Sequence, residues 1–346
     1  MASRVRSPKV AGVVAVAMAA TLSTAVAINP ANAAASASHP STPNKIAILY
    51  DQGGRGDHAL NDAVAVGVDA IKAKYHLNSL DVREMVTTGT DADRYSRLLF
   101  LAQAHYSLVI AVGSAFASVL SQAAIAAPST QFAIMNDESV ASLNVSDMAF
   151  DGPQGAFLAG ALAGAATKTH KVGFLAPTAD SAWLSAFQAG VGFAGSKAVA
   201  YAAFTDAAPA AQVKSLYSQG VDVLFSEWSS TSDVADEAAV LSSPSHPLYL
   251  IGLSPDQYFL LQKSDSHLLL GAVTKRIDLA TEDLMSAALA GETVNDILNQ
   301  SAGIFGKLYT VPGGGESIAL TALGQKYALS VGKALAALKS GKISIK

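Results

Sequence analysis

Short apolar runs alternate along this chain with longer alanine-rich stretches. The runs are Lys45–Tyr50, Asp81–Val86, Leu108–Val112, Gln131–Met135, Lys171–Leu175, Val199–Phe204, Val221–Phe225, Leu248–Ile251 and Leu268–Ala272. Most are continuous rather than alternating, the pattern of strands covered on both faces. Their starts lie roughly 20 to 40 residues apart, room for one helix in each gap, and this spacing predicts βαβ units around parallel sheets. Helices are expected over Ala59–Lys74, Arg94–Ala104, Phe116–Ala126, Gln154–Ala166, Ala182–Ala194 and, at the C-terminal end, Gln325–Lys339. Asp91 or Asp93 is expected to cap the second of these, and Pro128 to end the third. The strands are too many for one compact sheet, so an α/β fold with two sheets is predicted, with Asp151-Gly152-Pro153 as the first crossover. Val311–Gly315 is expected to be a loop.

The N-terminus departs from this pattern. Arg4, Arg6 and Lys9 precede an uncharged stretch from Val10 to Ile28, and Ala31-Asn32-Ala33 supplies a small-x-small cleavage pattern. Residues 1–33 therefore read as a signal peptide and 34–44 as a flexible leader. Its removal lowers Lys+Arg from 23 to 20 against 27 Asp+Glu, a net charge of about −7. An acidic chain without a basic run is a poor partner for nucleic acid or an anionic membrane. The chain has no cysteine, which excludes disulfides, thiolate metal sites, a cysteine nucleophile and a lipidated cysteine anchor. No later stretch is apolar for long enough to span a bilayer. The expected location is exported, either secreted or at the cell surface. A composition 51% hydrophobic but 7% aromatic suits small-residue helices packed on buried strands.

In open parallel sheets, ligands sit beyond the carboxyl ends of the strands. After the first run comes Asp51-Gln52-Gly53-Gly54-Arg55-Gly56-Asp57-His58-Ala59-Leu60-Asn61. Asp51 and Asp57 offer acceptors for hydroxyl groups, and loop amides at a helix start can donate; alternatively, the loop is a glycine turn with Asp57 capping the helix. Gly54-x-Gly56-x-x-Ala59 also fits the dinucleotide fingerprint. Two nearby carboxylates oppose a pyrophosphate, however, and the second strand is followed by Thr87-Thr88-Gly89 rather than a ribose-binding acid. Arg55-Gly56-Asp57 matches an adhesion tripeptide more weakly still. Other strand ends carry Gly113-Ser114, Asn136-Asp137, Pro177-Thr178, Thr205-Asp206, Glu227-Trp228-Ser229 and Ser254-Pro255-Asp256, which together imply one polar pocket. Trp228 either stacks on a ligand ring or packs internally. No G-x-S-x-G elbow and no histidine pair at metal-ligand spacing is present, so neither catalysis nor a cofactor is expected.

These segments resemble the basic membrane protein family of ABC-transporter substrate-binding proteins, which includes purine-nucleoside receptors. Asp51, Gly53, Gly54, Asp57, Leu60 and Asn61 fill the family's first-loop frame. Similar segments follow in order at Tyr106–Gly113, Phe132–Asp137, Gly155–Gly164, Lys171–Leu175, Gly220–Phe225, Ile251–Gln257, Val273–Asp278 and Leu338–Ile343. The resemblance implies a type I periplasmic-binding-protein fold: two Rossmann-like lobes with parallel sheets, joined by three crossovers. One lobe would hold 45–150 plus 272–305, the other 151–271 plus 306–346. It also implies a small-molecule ligand, a nucleoside or similar compound, held between the lobes and delivered to an ABC permease. Asp51, Asn61, Asp137 and Lys275 match positions that hold ribose hydroxyls, with Asp57, Gly113, Trp228, Ser254 and Asp256 at neighbouring strand ends. Leu60 stands where the family's stacking phenylalanine is expected, and Ser254 replaces an acid, leaving Asp256. The alternatives are a degenerate binding or sensor module acting through a protein partner, and an NAD-dependent enzyme.

Overall fold

In a computed structural model of the chain, residues 44–205, 207–227, 232–253, 266–293 and 303–345 are described. The expected signal peptide therefore lies outside the described residues. Two six-stranded sheets form the frame. The first has the order β11-β5-β4-β3-β1-β2 and the second β12-β10-β9-β8-β6-β7. Here β1 is Ile46–Tyr50, β2 Val82–Val86, β3 Leu108–Val112, β4 Gln131–Met135, β5 Val145–Phe150 and β6 Lys171–Ala176. The remainder are β7 Val199–Phe204, β8 Val223–Ser226, β9 Tyr249–Leu253, β10 Leu269–Lys275, β11 Gly306–Tyr309 and β12 Glu316–Leu320.

Among the described residues every pairing is parallel except β10 with β12. Apart from Ala47, Tyr50 and Ala111, β1 and β3 consist of isoleucine, leucine and valine, and their residues are all buried. Such strands need helices on both faces. These are α1 (Leu60–Tyr75), α2 (Asp91–Gln103), α3 (Ala117–Ala126), α4 (Gly152–Ala166), α5 (Ser181–Phe193), α6 (Pro209–Ser218), α7 (Ser232–Leu241), α8 (Ile277–Leu289) and α9 (Ala328–Lys339).

The small-residue composition is explained by α4 and α5. A Cβ on Gly160 would lie 2.0 Å from the Phe187 carbonyl oxygen, and one on Gly190 would lie 2.0 Å from that of Phe157. The two backbones meet directly, with room for neither side chain. Beneath them, Phe187 stacks on Phe225 with ring centroids 5.8 Å apart.

The structure departs from the sequence expectations in three places. Thr90, not Asp91 or Asp93, caps α2, its side chain accepting from the Asp93 amide. Val145–Phe150 is a strand despite Ser146 and Asp147, both 1% exposed, because ladders to β4 and β11 hold it on either side; the Val140 amide donates to the Asp147 carboxylate. Two lobe boundaries also move. Residues 272–275 belong to β10 in the second sheet and 306–309 to β11 in the first, each placed by its backbone ladder. The helix α8 returns to the first lobe, packing on α1, and its Asp283 accepts from Lys307 and Tyr309 of β11.

Residues 43–346 cluster as one unit, so both sheets and the gap between them belong to a single body. Among the described residues the chain passes between the sheets after β5, after β10 and after β11. These passages are joined to one another. The Asp151 amide donates to the Tyr309 carbonyl, the Arg276 amide to the Gly315 carbonyl, and the Val311 amide to the Gln154 side chain.

Candidate functional site

In each sheet the strand order reverses beside one strand, β1 in the first and β6 in the second. Ligands of doubly wound folds lie in the crevice at such points. Between the two sets of carboxyl ends lies a cavity of about 870 Å³, within the roughly 300–1,000 Å³ of small-molecule sites. Asn136, Asp137 and Phe150 line it from the first lobe, and Asp180, Trp183 and Lys275 from the second.

Lys275 ends β10 and reaches across the gap, its Nζ donating to Asn136 Oδ1 at 3.0 Å. The same nitrogen lies 5.8 Å from the ring centroids of Phe150 and Trp183. Asn136 holds the left-handed backbone at φ 59°, which asparagine tolerates, and this turns the chain into the cavity wall. Asp137 Oδ1 accepts from the Ser139 amide and hydroxyl. The indole of Trp183 is set by α5, since Asp180 accepts from the amides of Ala182 and Trp183. It rests on Gly152, where a Cβ would lie 1.8 Å from Trp183 Cζ2.

The surroundings are acidic. Asp137, Glu138, Asp151 and Asp180 line the cavity, and Lys275 is the one basic side chain among the described lining residues. Behind them, burial pushes Glu316 up to about 8 against the opposing charge of Lys275. Burial, with Asp180 adding to it, likewise pushes Glu227 up to about 8, and burial also raises Asp151. Neither oxygen of Glu316 has a hydrogen-bond partner among the described residues. A buried carboxyl without a cation at hydrogen-bond distance is held more cheaply as the neutral acid.

The first loop lies at the same sheet edge, but its acids face inward to the protein. Arg94 donates through Nε and Nη2 to Asp51 at 2.9 and 2.8 Å, and Thr87 Oγ1 donates to Asp51 at 2.7 Å. Burial alone would raise the Asp51 carboxyl; Arg94 and Thr87 outweigh it and hold the carboxyl below its ordinary range. Ala59 holds the N-cap position of α1, and Asp57, two residues earlier, accepts from the amides of Ala59, Asn61 and Asp62, so it satisfies first-turn donors without being the N-cap residue itself. Asp62 accepts from Gly56 and His58. Five amides that a pyrophosphate would need thus donate to two carboxylates, which opposes the dinucleotide alternative. Arg55 is also engaged, donating to Asp69 and Glu84. Asn61 is buried, and Leu60 lies against Gly113, where a Cβ would be 3.4 Å from Leu60 Cδ2.

The structure therefore brings Asp137 and Lys275 to one cavity and places Leu60, Asn61 and Gly113 together at the adjoining edge. Asp51 and Asp57 are engaged within the first lobe. Trp228, Ser254 and Asp256 lie outside the described residues. Sequence reasoning missed Phe150 and Trp183. The available signal was position: Phe150 closes β5, and Trp183 lies just beyond the Pro177-Thr178 strand end. Among the described residues no cluster of histidine and carboxylate side chains is arranged to hold a metal ion, and no helix is long and apolar enough to cross a membrane.

Comparison with known proteins agrees with this architecture. The family described as ABC transporter substrate-binding protein, PnrA-like, matches residues 44–296. A CD4+ T-cell-stimulating antigen of Listeria monocytogenes is 30% identical over 266 residues, covering 71% of this chain and 74% of that protein. The ABC transporter nucleoside-binding protein BmpA of Lactococcus lactis is 24% identical over 323 residues, covering 88% and 89% respectively. Among solved structures, an ABC-transporter solute-binding protein from Conexibacter woesei superposes with a TM-score of 0.67 at 17% identity, covering 87% of this chain and 98% of that one. The fold is that of the type I periplasmic solute-binding proteins, and the chain belongs to the family of PnrA-like substrate-binding proteins of ABC transporters.

Proposed function

We propose that this protein captures a nucleoside or a closely similar small solute in the cavity between its lobes and presents it to an ABC permease. The observation that carries the proposal is the Lys275–Asn136 bond inside that cavity. Residues from different lobes already meet there, beside aromatic surface and several carboxylates. Carboxylates and a lysine suit the vicinal hydroxyls of a sugar, since charged hydrogen bonds are the stronger kind. Aromatic rings suit a base. The nucleoside-binding name of the Lactococcus lactis relative points the same way. Asp137, Lys275, Asn61, Leu60 and Gly113 are the sequence-derived contacts retained in this reading, and Asp51, taken up by Arg94 and Thr87, is not among them. Export by an N-terminal signal peptide would place the receptor outside the membrane, where a permease collects its solute. Opening and closing about the three passages would admit the ligand and then shield it.

The test is a thermal-shift and calorimetric screen of the purified protein against adenosine, guanosine, inosine, uridine, D-ribose, D-glucose and amino acids. A ligand of the folded state raises apparent stability by RT ln(1 + [L]/Kd). The expected result is a saturable shift with at least one nucleoside that Lys275→Ala abolishes. No shift with any of these compounds would overturn the receptor reading in favour of a module acting through a protein partner.

A further inference from the structure

We propose that Trp183 is the ring-recognising residue of the cleft, so that aromatic stacking is supplied by the second lobe rather than by the first loop. The inference rests on the nucleoside-receptor reading and adds the residue that selects a base-bearing ligand over a plain sugar.

Three observations converge on Trp183. Leu60 holds the first-loop position and is seated against Gly113, so the first lobe offers an aliphatic contact there and no ring face. Phe150 lines the cavity but is already stacked on Tyr309, with centroids 5.1 Å apart and planes 22° apart, which covers one of its faces. Trp183 also lines the cavity and is only partly buried. Its backbone is fixed by the Asp180 cap, and its ring rests on the bare Cα of Gly152. A platform fixed in this way loses little freedom when a ligand arrives.

The polar groups around the indole define the rest of the ligand. Lys275 Nζ is 5.8 Å from the indole centroid and 3.0 Å from Asn136 Oδ1. Asp180 begins the same helix and lines the same cavity. A planar heterocycle lying on Trp183 would therefore keep an attached polyhydroxy group within reach of a lysine donor and carboxylate acceptors. Free sugars satisfy the second requirement alone. A compound joining an aromatic ring to a hydroxylated ring satisfies both.

The experiment measures dissociation constants of adenosine, guanosine, inosine, uridine and D-ribose for the wild type, Trp183→Phe and Trp183→Leu. Stacking a base on an aromatic side chain is worth ~1–3 kcal/mol. Trp183→Leu should therefore weaken the best nucleoside about ten- to a hundredfold, while Trp183→Phe stays within a fewfold of wild type. Binding of D-ribose should be nearly indifferent to all three side chains, so the nucleoside-to-ribose ratio collapses in Trp183→Leu alone. A general packing defect would move both ligands together, and rescue by phenylalanine separates ring loss from misfolding. Nucleoside binding that is unchanged in Trp183→Leu, or weakened in step with ribose, overturns the role of Trp183. So does a wild type that binds D-ribose and no nucleoside, although the receptor reading then survives. A wild type that binds none of the screened solutes removes the receptor reading itself.

Discussion

Lys275 Nζ donates to Asn136 Oδ1 over 3.0 Å, and the two residues are 139 positions apart in the chain. Lys275 ends the second-sheet strand that runs beside Glu316, whereas Asn136 follows β4 of the first sheet. The bond joins the lobes within a cavity lined by Asp137, Glu138, Asp151 and Asp180.

This bond should couple the lobes measurably. In urea titrations of the single variants Lys275→Met and Asn136→Ala and of the double variant, an interaction energy of about 1 kcal/mol is expected, the value of a part-buried charged hydrogen bond. Strict additivity would show that the bond contributes nothing to joining the lobes.

Stability should depend on pH through buried acids, among them Asp147 and Glu316. Burial raises Asp147 to about 7 and Glu316 to about 8, both above their ordinary values. Each folded-state pKa exceeds the unfolded one, so the protonated acid favours the fold. This contribution is complete below the unfolded pKa of about 4 and is lost as pH rises through about 7 for Asp147 and about 8 for Glu316. Asp147→Asn and Glu316→Gln should therefore raise the melting temperature near pH 9 and change it little near pH 4. An equal gain at both pH values would contradict the assignment.

The pair of Asp51 with Arg94 should be structural. Arg94 is almost wholly buried and Asp51 is one-quarter exposed at the side chain. Arg94→Ala leaves a partly buried carboxylate with only neutral donors, Thr87 and the Gln52 amide, and should cost about 2–3 kcal/mol of unfolding free energy in urea. A change below about 0.5 kcal/mol would mean that water replaces the guanidinium without loss.

The contact between α4 and α5 should tolerate no methyl group. Gly160→Ala places a carbon 2.0 Å from the Phe187 carbonyl oxygen and is expected to cost about 1–3 kcal/mol or more as the helices separate. Gly192→Ala, where nothing lies within 4 Å, is the control on the partner helix α5. Equal effects of the two would sink the packing argument.

The chain's own order of residues determined most of the frame. Continuous apolar runs such as Ile46–Tyr50 and Leu108–Val112 identified buried strands, because a strand covered on both faces has no side on which to carry polar residues. Local polar groups determined the starts of helices, as Asp57 does for α1 and Asp151 for α4. The family was legible for the same reason, since its motifs lie at strand ends that recur in order. Tertiary structure decided what those ends do. Asp51 is drawn to Arg94 from 43 residues away, which no local pattern announces. The strand Val145–Phe150, absent from the runs that the apolar pattern picks out because Ser146 and Asp147 interrupt it, is held by ladders to β4 and β11 on either side. Trp183 becomes a cavity wall only because α5 lies against Gly152 at a passage between the lobes. Apolar periodicity is written into neighbouring residues, whereas the partner of a charge or a ring is set by which distant segments the sheets bring together.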